Sequence, residues 1–205
     1  MEAERGRSVD RLVTFVDAVV AIAITLLALP LTEITREVAE KGLEGYLDDK
    51  VAVLVGFTIS FFVIARLWWG HHRIFEHVVR WDRPLVVLTV FWLFTVVLLP
   101  PATALTNQTD PREQPGVIAA YIGVMAVSGV FLTALSWRVH RHPELTDGRD
   151  TASRQRLAGS VSSLIGFVLA LVIGTLLPQV NYFALLVLVL TGRLGDLVER
   201  RLRRR

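Results

Sequence analysis

Residues 12–31, LVTFVDAVVAIAITLLALPL, form an apolar run in which Asp17 is the one charged residue. An α-helix of about 20 apolar residues matches the roughly 30 Å hydrocarbon core of a bilayer. A secretory signal peptide has a shorter apolar core with no acid inside it. We therefore expect this run to be a retained transmembrane helix.

Further apolar runs follow it along the chain. With no water in the hydrocarbon core, spans of this length must be helices, because only a helix satisfies its own backbone hydrogen bonds. We predict an all-α integral membrane protein with six transmembrane helices per subunit and a single membrane domain over residues 1-205. The predicted helices are about 9-31, 51-77, 84-106, 115-140, 155-177 and 180-199, and an outer acidic segment occupies 32-50.

The basic residues indicate an orientation. With both termini on the cytoplasmic side, only four basic residues remain outside: Arg36, Lys41, Lys50 and Arg112. The positive-inside rule favours this arrangement, so we expect a multi-pass protein of the plasma membrane with cytoplasmic N- and C-termini. The pI of about 9.8 is then explained by the basic residues that the positive-inside rule places on the cytoplasmic side. We expect no nucleic-acid partner, and anionic inner-leaflet lipids near the arginine-rich tail.

Several function classes are excluded or disfavoured by what the sequence lacks. Cysteine is absent, which excludes thiolate catalysis and cysteine-based metal sites. No Walker, HExxH or GxSxG motif is present, so we expect no enzyme and no cofactor. There is also no carbonyl filter of the TVGYG type and no regular arginine ladder of a voltage sensor.

Asp17 is the first candidate for a functional residue. A carboxylate inside a transmembrane run costs a few kcal/mol unless it has a partner or water. It can belong to an ion path or gate, or form a structural ion pair near the inner interface. On a helical wheel Asp17 points away from the stripe of Ile22, Leu26 and Leu29, which favours a structural and gating role. Periodicity alone predicts ordinary packing or lipid contact for that stripe.

Histidine and tryptophan cluster at the inner end of the second predicted helix. His71 and His72 lie beside Trp68 and Trp69, as in an aromatic belt at a membrane interface. Adjacent histidines point to different helix faces, so we expect no metal site. A further hypothesis makes His71 a pH-sensitive hydrogen-bond partner of Asp17.

Acidic residues follow the first helix at helical spacing: Glu33, Glu37, Glu40 and Glu44. They form either a solvated helix face or an outer vestibule that concentrates cations. In the fifth predicted helix, Gly159, Ser163 and Gly166 are small enough to allow close helix contact. We expect these small residues to serve packing.

One pattern in the first helix resembles a known family. Arg11, Phe15, Val16 and Asp17, followed by AVVAIAITLLAL, resemble the RxxxFSD signature of the lysosomal potassium channel transmembrane protein 175 and its bacterial relatives. Val16 stands where the family has serine. A hydroxyl group that would join the Arg/Asp/His network is therefore missing.

The second and third helices support the resemblance, which covers about residues 11–105. Trp68, His71 and Phe75 match the family's W-xx-H-xxx-F, and 98–103 match its LLP-P-x-T. The resemblance implies a homotetramer in which the first helix of each subunit lines a central pore. By this resemblance, Ile22, Leu26 and Leu29 form a hydrophobic constriction, with Thr25 as a polar pore-facing candidate. It also implies a structural and gating network of Arg11, Phe15, Asp17, Trp68, His71 and His72.

The leading hypothesis is thus a potassium-permeable cation channel, with K⁺ and other monovalent cations as permeant ions. A proton-coupled carrier or proton-conducting channel that uses Asp17 and His71 is the alternative. A non-transporting membrane scaffold is the third option.

Overall fold

Helices make up almost all of the computed structural model, which describes residues 2–32, 43–108, 114–148 and 152–176. The described helices are α1 (Glu2–Leu26), α2 (Leu43–Phe75), α3 (Arg83–Val97), α4 (Leu99–Gln108), α5 (Pro115–Arg141) and α6 (Ser153–Leu176). A short 3₁₀ turn, Pro143–Leu145, follows α5.

Five stretches in the described part are long and apolar enough to cross a membrane: Ser8–Thr32, Val53–Phe75, Arg83–Gln108, Gly116–Arg141 and Ser153–Leu176. This confirms the prediction of an all-helical membrane protein. The third stretch contains both α3 and α4. The break between them falls at Leu98, just before Pro100 and Pro101, which lack the backbone N–H of a regular helix. The predicted sixth helix, 180-199, lies outside the described residues.

Two helices begin earlier than the apolar runs suggest. α1 begins at Glu2 instead of about residue 9, and α2 begins at Leu43, inside the predicted outer acidic segment. Hydropathy marks the part of a helix that lies in hydrocarbon, whereas the helix itself can continue into water. The predicted starts are therefore limits of apolar runs and not limits of helices.

A buried hydroxyl network joins three helices at the centre of the bundle. Ser60 Oγ on α2 lies 2.9 Å from Thr103 Oγ1 on α4 and 2.6 Å from the Tyr121 hydroxyl on α5. All three side chains are buried. Hydroxyl groups away from water need such partners, so the network fixes α2 against α4 and α5.

The close approach of α5 and α6 depends on glycines that the sequence does not single out. A Cβ at Gly129 would lie 3.2 Å from Phe167 Cδ2, and one at Gly174 would lie 2.9 Å from Ile122 Cδ1. At Gly159 a Cβ would meet nothing within 4 Å. Among the described residues Gly159 therefore makes no close helix contact, and the packing expected of it is not found there.

On the side assigned to the cytoplasm, the α2–α3 connection is tied to the segment after α5. Val78 forms an antiparallel bridge with Thr146, and Val79 N donates to Leu145 O at 2.9 Å. Asp82 adds an ion pair with Arg138 at the end of α5. These contacts fix the start of α3 against the end of α5.

Candidate functional site

The first helix has one packed face. Its buried residues are at most 3% exposed and recur at helical spacing: Val9, Val16, Val20, Ala23 and Leu27. This face packs on α2 and α3. Val16, which replaces the serine of the resembling family, is completely buried in this apolar contact. The packed face thus explains how α1 is held in the subunit.

The opposite face of α1 has no covering helix in the described part of the subunit. Ile22 is 57% exposed, Leu26 44% and Leu29 61%, and Phe15 lies on the same face at 58%. Thr25 is also exposed, and its Oγ1 donates to Ile22 O at 2.8 Å. The hydroxyl hydrogen is used inside the helix, so the lone pairs of Oγ1 remain available to an outside partner. The face is apolar with one oxygen acceptor.

Asp17 lies away from this exposed face. Its side chain is partly buried, and its Oδ1 accepts a hydrogen bond from Trp68 Nε1 at 2.8 Å. The bond joins α1 to α2 within the apolar bundle. Arg11 is exposed, and no ion pair joins it to Asp17 among the described residues. The structure therefore brings together Asp17 and Trp68 from the predicted network, but not Arg11.

His71 is placed differently from the hypothesis that pairs it with Asp17. Its ring is completely buried and stacked between Phe75 and Trp92, with centroid distances of 4.5 Å to each. Neither ring nitrogen has a hydrogen-bond partner in the described part. The expected hydrogen bond between His71 and Asp17 is absent. The His71 ring packs on Trp92 of α3, and the hydrogen bond to the Asp17 carboxylate comes from Trp68 instead.

The remaining predicted site residues make fewer contacts in the described part of the chain. His72 is exposed and stacks on Trp69, with ring centroids 5.8 Å apart. Glu44 lies in the first turn of α2, whereas Glu33, Glu37 and Glu40 lie outside the described residues. No group of three or more His, Asp or Glu that could hold a metal ion occurs in the described ranges.

Sequence reasoning missed Trp92. It is completely buried and lies parallel to His71 at an interplanar angle of 9°. The only signal in the sequence was a tryptophan in the middle of an apolar span, and that does not reveal its partner.

Comparison with known proteins finds similarity to one family of ion channels. The family profile described as "Endosomal/lysosomal potassium channel TMEM175" matches residues 11–100. A protein of Streptomyces collinus, named a potassium channel, is 32% identical over 148 residues, which are 71% of each chain. The mouse protein named "Endosomal/lysosomal proton channel TMEM175" is 28% identical over 156 residues, 75% of this chain. The match covers 30% of the length of the mouse protein.

A solved structure shares the fold. It is described as the crystal structure of a lysosomal potassium-selective channel TMEM175 homolog from Chamaesiphon minutus. The TM-score is 0.70 at 23% sequence identity, and the match covers 93% of this chain and 99% of that chain. The sequence matches and the common fold agree, and the chain belongs to the TMEM175 family.

Proposed function

We propose that the chain is the subunit of a potassium channel in the plasma membrane, with both termini in the cytoplasm. Four copies surround a central pore, and α1 of each copy lines it. The observation that carries this proposal is the contrast between the two faces of α1. One face is packed on α2 and α3, while the face with Ile22 and Leu29 is open and apolar.

The names of two related proteins support the identity of the ion. The Streptomyces collinus relative is named a potassium channel, and the Chamaesiphon minutus homolog is described as potassium-selective. Sequence similarity links this chain to the first protein, and a common fold links it to the second. We therefore propose K⁺ as the permeant ion, and the flux of other monovalent cations is to be compared with the flux of K⁺.

Around a fourfold axis, the exposed side chains form successive rings. Leu26 follows Ile22 by four residues of α1, so their rings are roughly 6 Å apart along the helix. Leu29 follows after the turn at residues 27–28 that ends α1, earlier than the predicted end at residue 31. A narrow apolar ring excludes water and closes a pore by dewetting. The constriction proposed here consists of Ile22, Leu26 and Leu29, and a rearrangement that widens the rings lets a hydrated cation pass.

Thr25 gives the constriction its polar component. Its Oγ1 donates to a backbone carbonyl, so four such oxygens can turn lone pairs toward a cation on the axis. No TVGYG-type filter replaces the hydration shell, and selectivity for K⁺ over Na⁺ is accordingly modest. The outer acids Glu33, Glu37, Glu40 and Glu44 attract cations to the pore entrance.

The experiment that tests this pore substitutes a polar side chain in the first ring. The purified protein is reconstituted into liposomes, and K⁺ and Na⁺ fluxes of Ile22→Asn are compared with wild type. We expect a higher flux and lower selectivity, because a polar ring remains wetted. Ile165→Asn is the control, since Ile165 of α6 is similarly exposed at 53% but does not lie on α1. Unchanged flux and selectivity in Ile22→Asn would overturn the assignment.

A proton-conducting channel is the second candidate, because the mouse relative is named a proton channel. The sequence hypothesis assigns proton conduction to Asp17 and His71, two residues that have different partners in this chain. The discriminating measurement is proton flux driven by a pH gradient in liposomes. Loss of proton flux in both Asp17→Asn and His71→Phe, with K⁺ flux retained, would favour this candidate.

A further inference from the structure

An open groove runs between α5 and α6 on the outside of the bundle. It leaves a space of about 410 Å³, within the range of small-ligand sites. Its lining is apolar, with Val130, Ala134 and Trp137 from α5 and Leu157, Val161 and Leu164 from α6. Both helices are candidate membrane spans over this length. The groove therefore lies within the membrane-spanning length of both helices.

Each helix carries an arginine at the same end of the groove. On α5, Arg141 follows Trp137 by four residues, and its Cζ lies 5.3 Å from the centroid of the Trp137 ring. On α6, Arg154 precedes Leu157 by three residues. Residues three or four apart lie on one face of a helix, so both guanidinium groups extend the groove lining by one turn. Both arginines are exposed.

Neither arginine is neutralised by a neighbouring acid in the described part of the chain. Asp82 pairs with Arg138, and Glu144 pairs with His142 at 2.7 Å. The end of the groove is thus positively charged. It also lies at the membrane boundary, since the candidate spans end at Arg141 and begin at Ser153.

We propose that this groove is a binding site for an anionic phospholipid. An acyl chain lies along Val161 and Trp137, and Arg141 and Arg154 together bind the headgroup phosphate. Guanidinium groups suit phosphate because they donate parallel hydrogen bonds, and tryptophan is favoured at the headgroup level of a bilayer. A zwitterionic lipid offers the same chain but no net charge for two arginines. The headgroup therefore decides affinity.

The test places a fluorescent reporter in the groove. The chain contains no cysteine, so Val161→Cys can be labelled uniquely with bimane in the otherwise complete protein. The labelled protein is titrated in detergent with phosphatidylglycerol or phosphatidylcholine that carry the same brominated acyl chains, and quenching is measured. We expect half-maximal quenching at a lower concentration of phosphatidylglycerol, by about fivefold for each arginine engaged.

Two double variants assign the headgroup preference to the proposed residues. Arg141→Gln with Arg154→Gln should remove the preference for phosphatidylglycerol while quenching by both lipids continues. Arg80→Gln with Arg83→Gln removes two exposed arginines that do not extend the groove lining, and it should leave the preference intact.

The proposal fails if the labelled Val161→Cys protein with both arginines intact shows no preference, or if the preference survives loss of Arg141 and Arg154. It also fails if neither lipid quenches the reporter; a covalent dimer formed on oxidation of Val161→Cys would then show that a second copy of the chain covers the groove. No ion flux enters these measurements, so their outcome is independent of the proposed channel function.

Discussion

Trp68 Nε1 donates a hydrogen bond to Asp17 Oδ1 over 2.8 Å and thereby joins α2 to α1 on the side away from Ile22. A carboxylate within a membrane span is costly without a partner, and this bond supplies one. The exposed apolar face and Asp17, the one acid of residues 12–31, thus lie on two sides of the same helix. Loss of this bond should change how firmly α1 is held while leaving the open face chemically the same.

The first prediction concerns Trp68→Phe. This change keeps an aromatic ring but removes the donor, so we expect the subunit to lose about 1 kcal/mol of stability. The measurement is thermal unfolding of the purified protein, followed by intrinsic fluorescence. Trp69→Phe is the matched control, because Trp69 is adjacent, 54% exposed and not bonded to Asp17. Equal loss of stability in both variants would show that the hydrogen bond contributes nothing.

The spans and the two faces of α1 were predictable because they depend on local quantities, namely apolar length and helical periodicity. The partner of Asp17 was not predictable in this way. Trp68, Arg11 and the histidines were all expected near the inner end of the first helix, so each was a possible partner of the carboxylate. The rotation of α2 in the packed structure brings Trp68 to it. The same rotation turns His71 toward Trp92 of α3, a contact between residues of two separate spans.

The ion pair of Asp82 with Arg138 was missed for a related reason. The positive-inside rule uses arginine only as a topological marker. The rule does not predict which arginine forms an ion pair with which acid. In the same way, small residues can be counted along α5 and α6, but only the packed structure shows that Gly129 lies against Phe167 and Gly174 against Ile122.

The second prediction contrasts two adjacent leucines of the first span. Leu27 is 3% exposed and Leu26 44% exposed. Leu27→Ala leaves a cavity at the packed face, and we expect a loss of about 2 kcal/mol in the free energy of unfolding. Leu26→Ala removes few contacts inside the subunit and should have a smaller effect on subunit stability, while it changes ion flux if Leu26 lines the pore. Thermal unfolding and liposome flux of both variants provide the check; a reversed order in unfolding would contradict the assignment of faces.

The third prediction concerns the contact of α5 with α6. Gly129→Ala places a methyl group 3.2 Å from Phe167 Cδ2 and 3.5 Å from Leu164 Cα. The contact with the backbone at Leu164 is ordinary, but the Phe167 ring must shift by a few tenths of an ångström, and we expect a cost of about 1–2 kcal/mol. Gly159→Ala meets no neighbour within 4 Å and should be neutral or stabilising, since alanine is the better helix former. Thermal unfolding compares them, and similar melting temperatures for the two variants would show that α5 and α6 do not depend on Gly129.

The fourth prediction is a dependence of stability on pH at Asp82, which lies outside the membrane spans. Its Oδ1 accepts from Leu85 N at 2.9 Å and so caps α3, while Oδ2 accepts from Arg138 Nε at 3.1 Å. Partial burial acts to raise the pKa of Asp82, but the hydrogen bonds from Arg138 and Leu85 and the charge of Arg138 outweigh it and lower the pKa. A pKa that is lower in the folded chain than in the unfolded chain means that the ionised form stabilises the fold.

The contribution of Asp82 is therefore complete above the unfolded pKa of about 4 and is lost as the pH falls through the lowered folded value. Asp82→Asn retains a helix cap but loses the ion pair, so we expect it to be about 1 kcal/mol less stable than wild type at pH 7. The difference in melting temperature between the two proteins should shrink as the pH is lowered below about 4. Asp10→Asn removes an exposed acid of α1 and controls for net charge. Melting curves of Asp82→Asn that stay a constant interval below wild type from pH 7 to pH 3 would contradict the linkage, because protonation of Asp82 must abolish the ion pair in wild type.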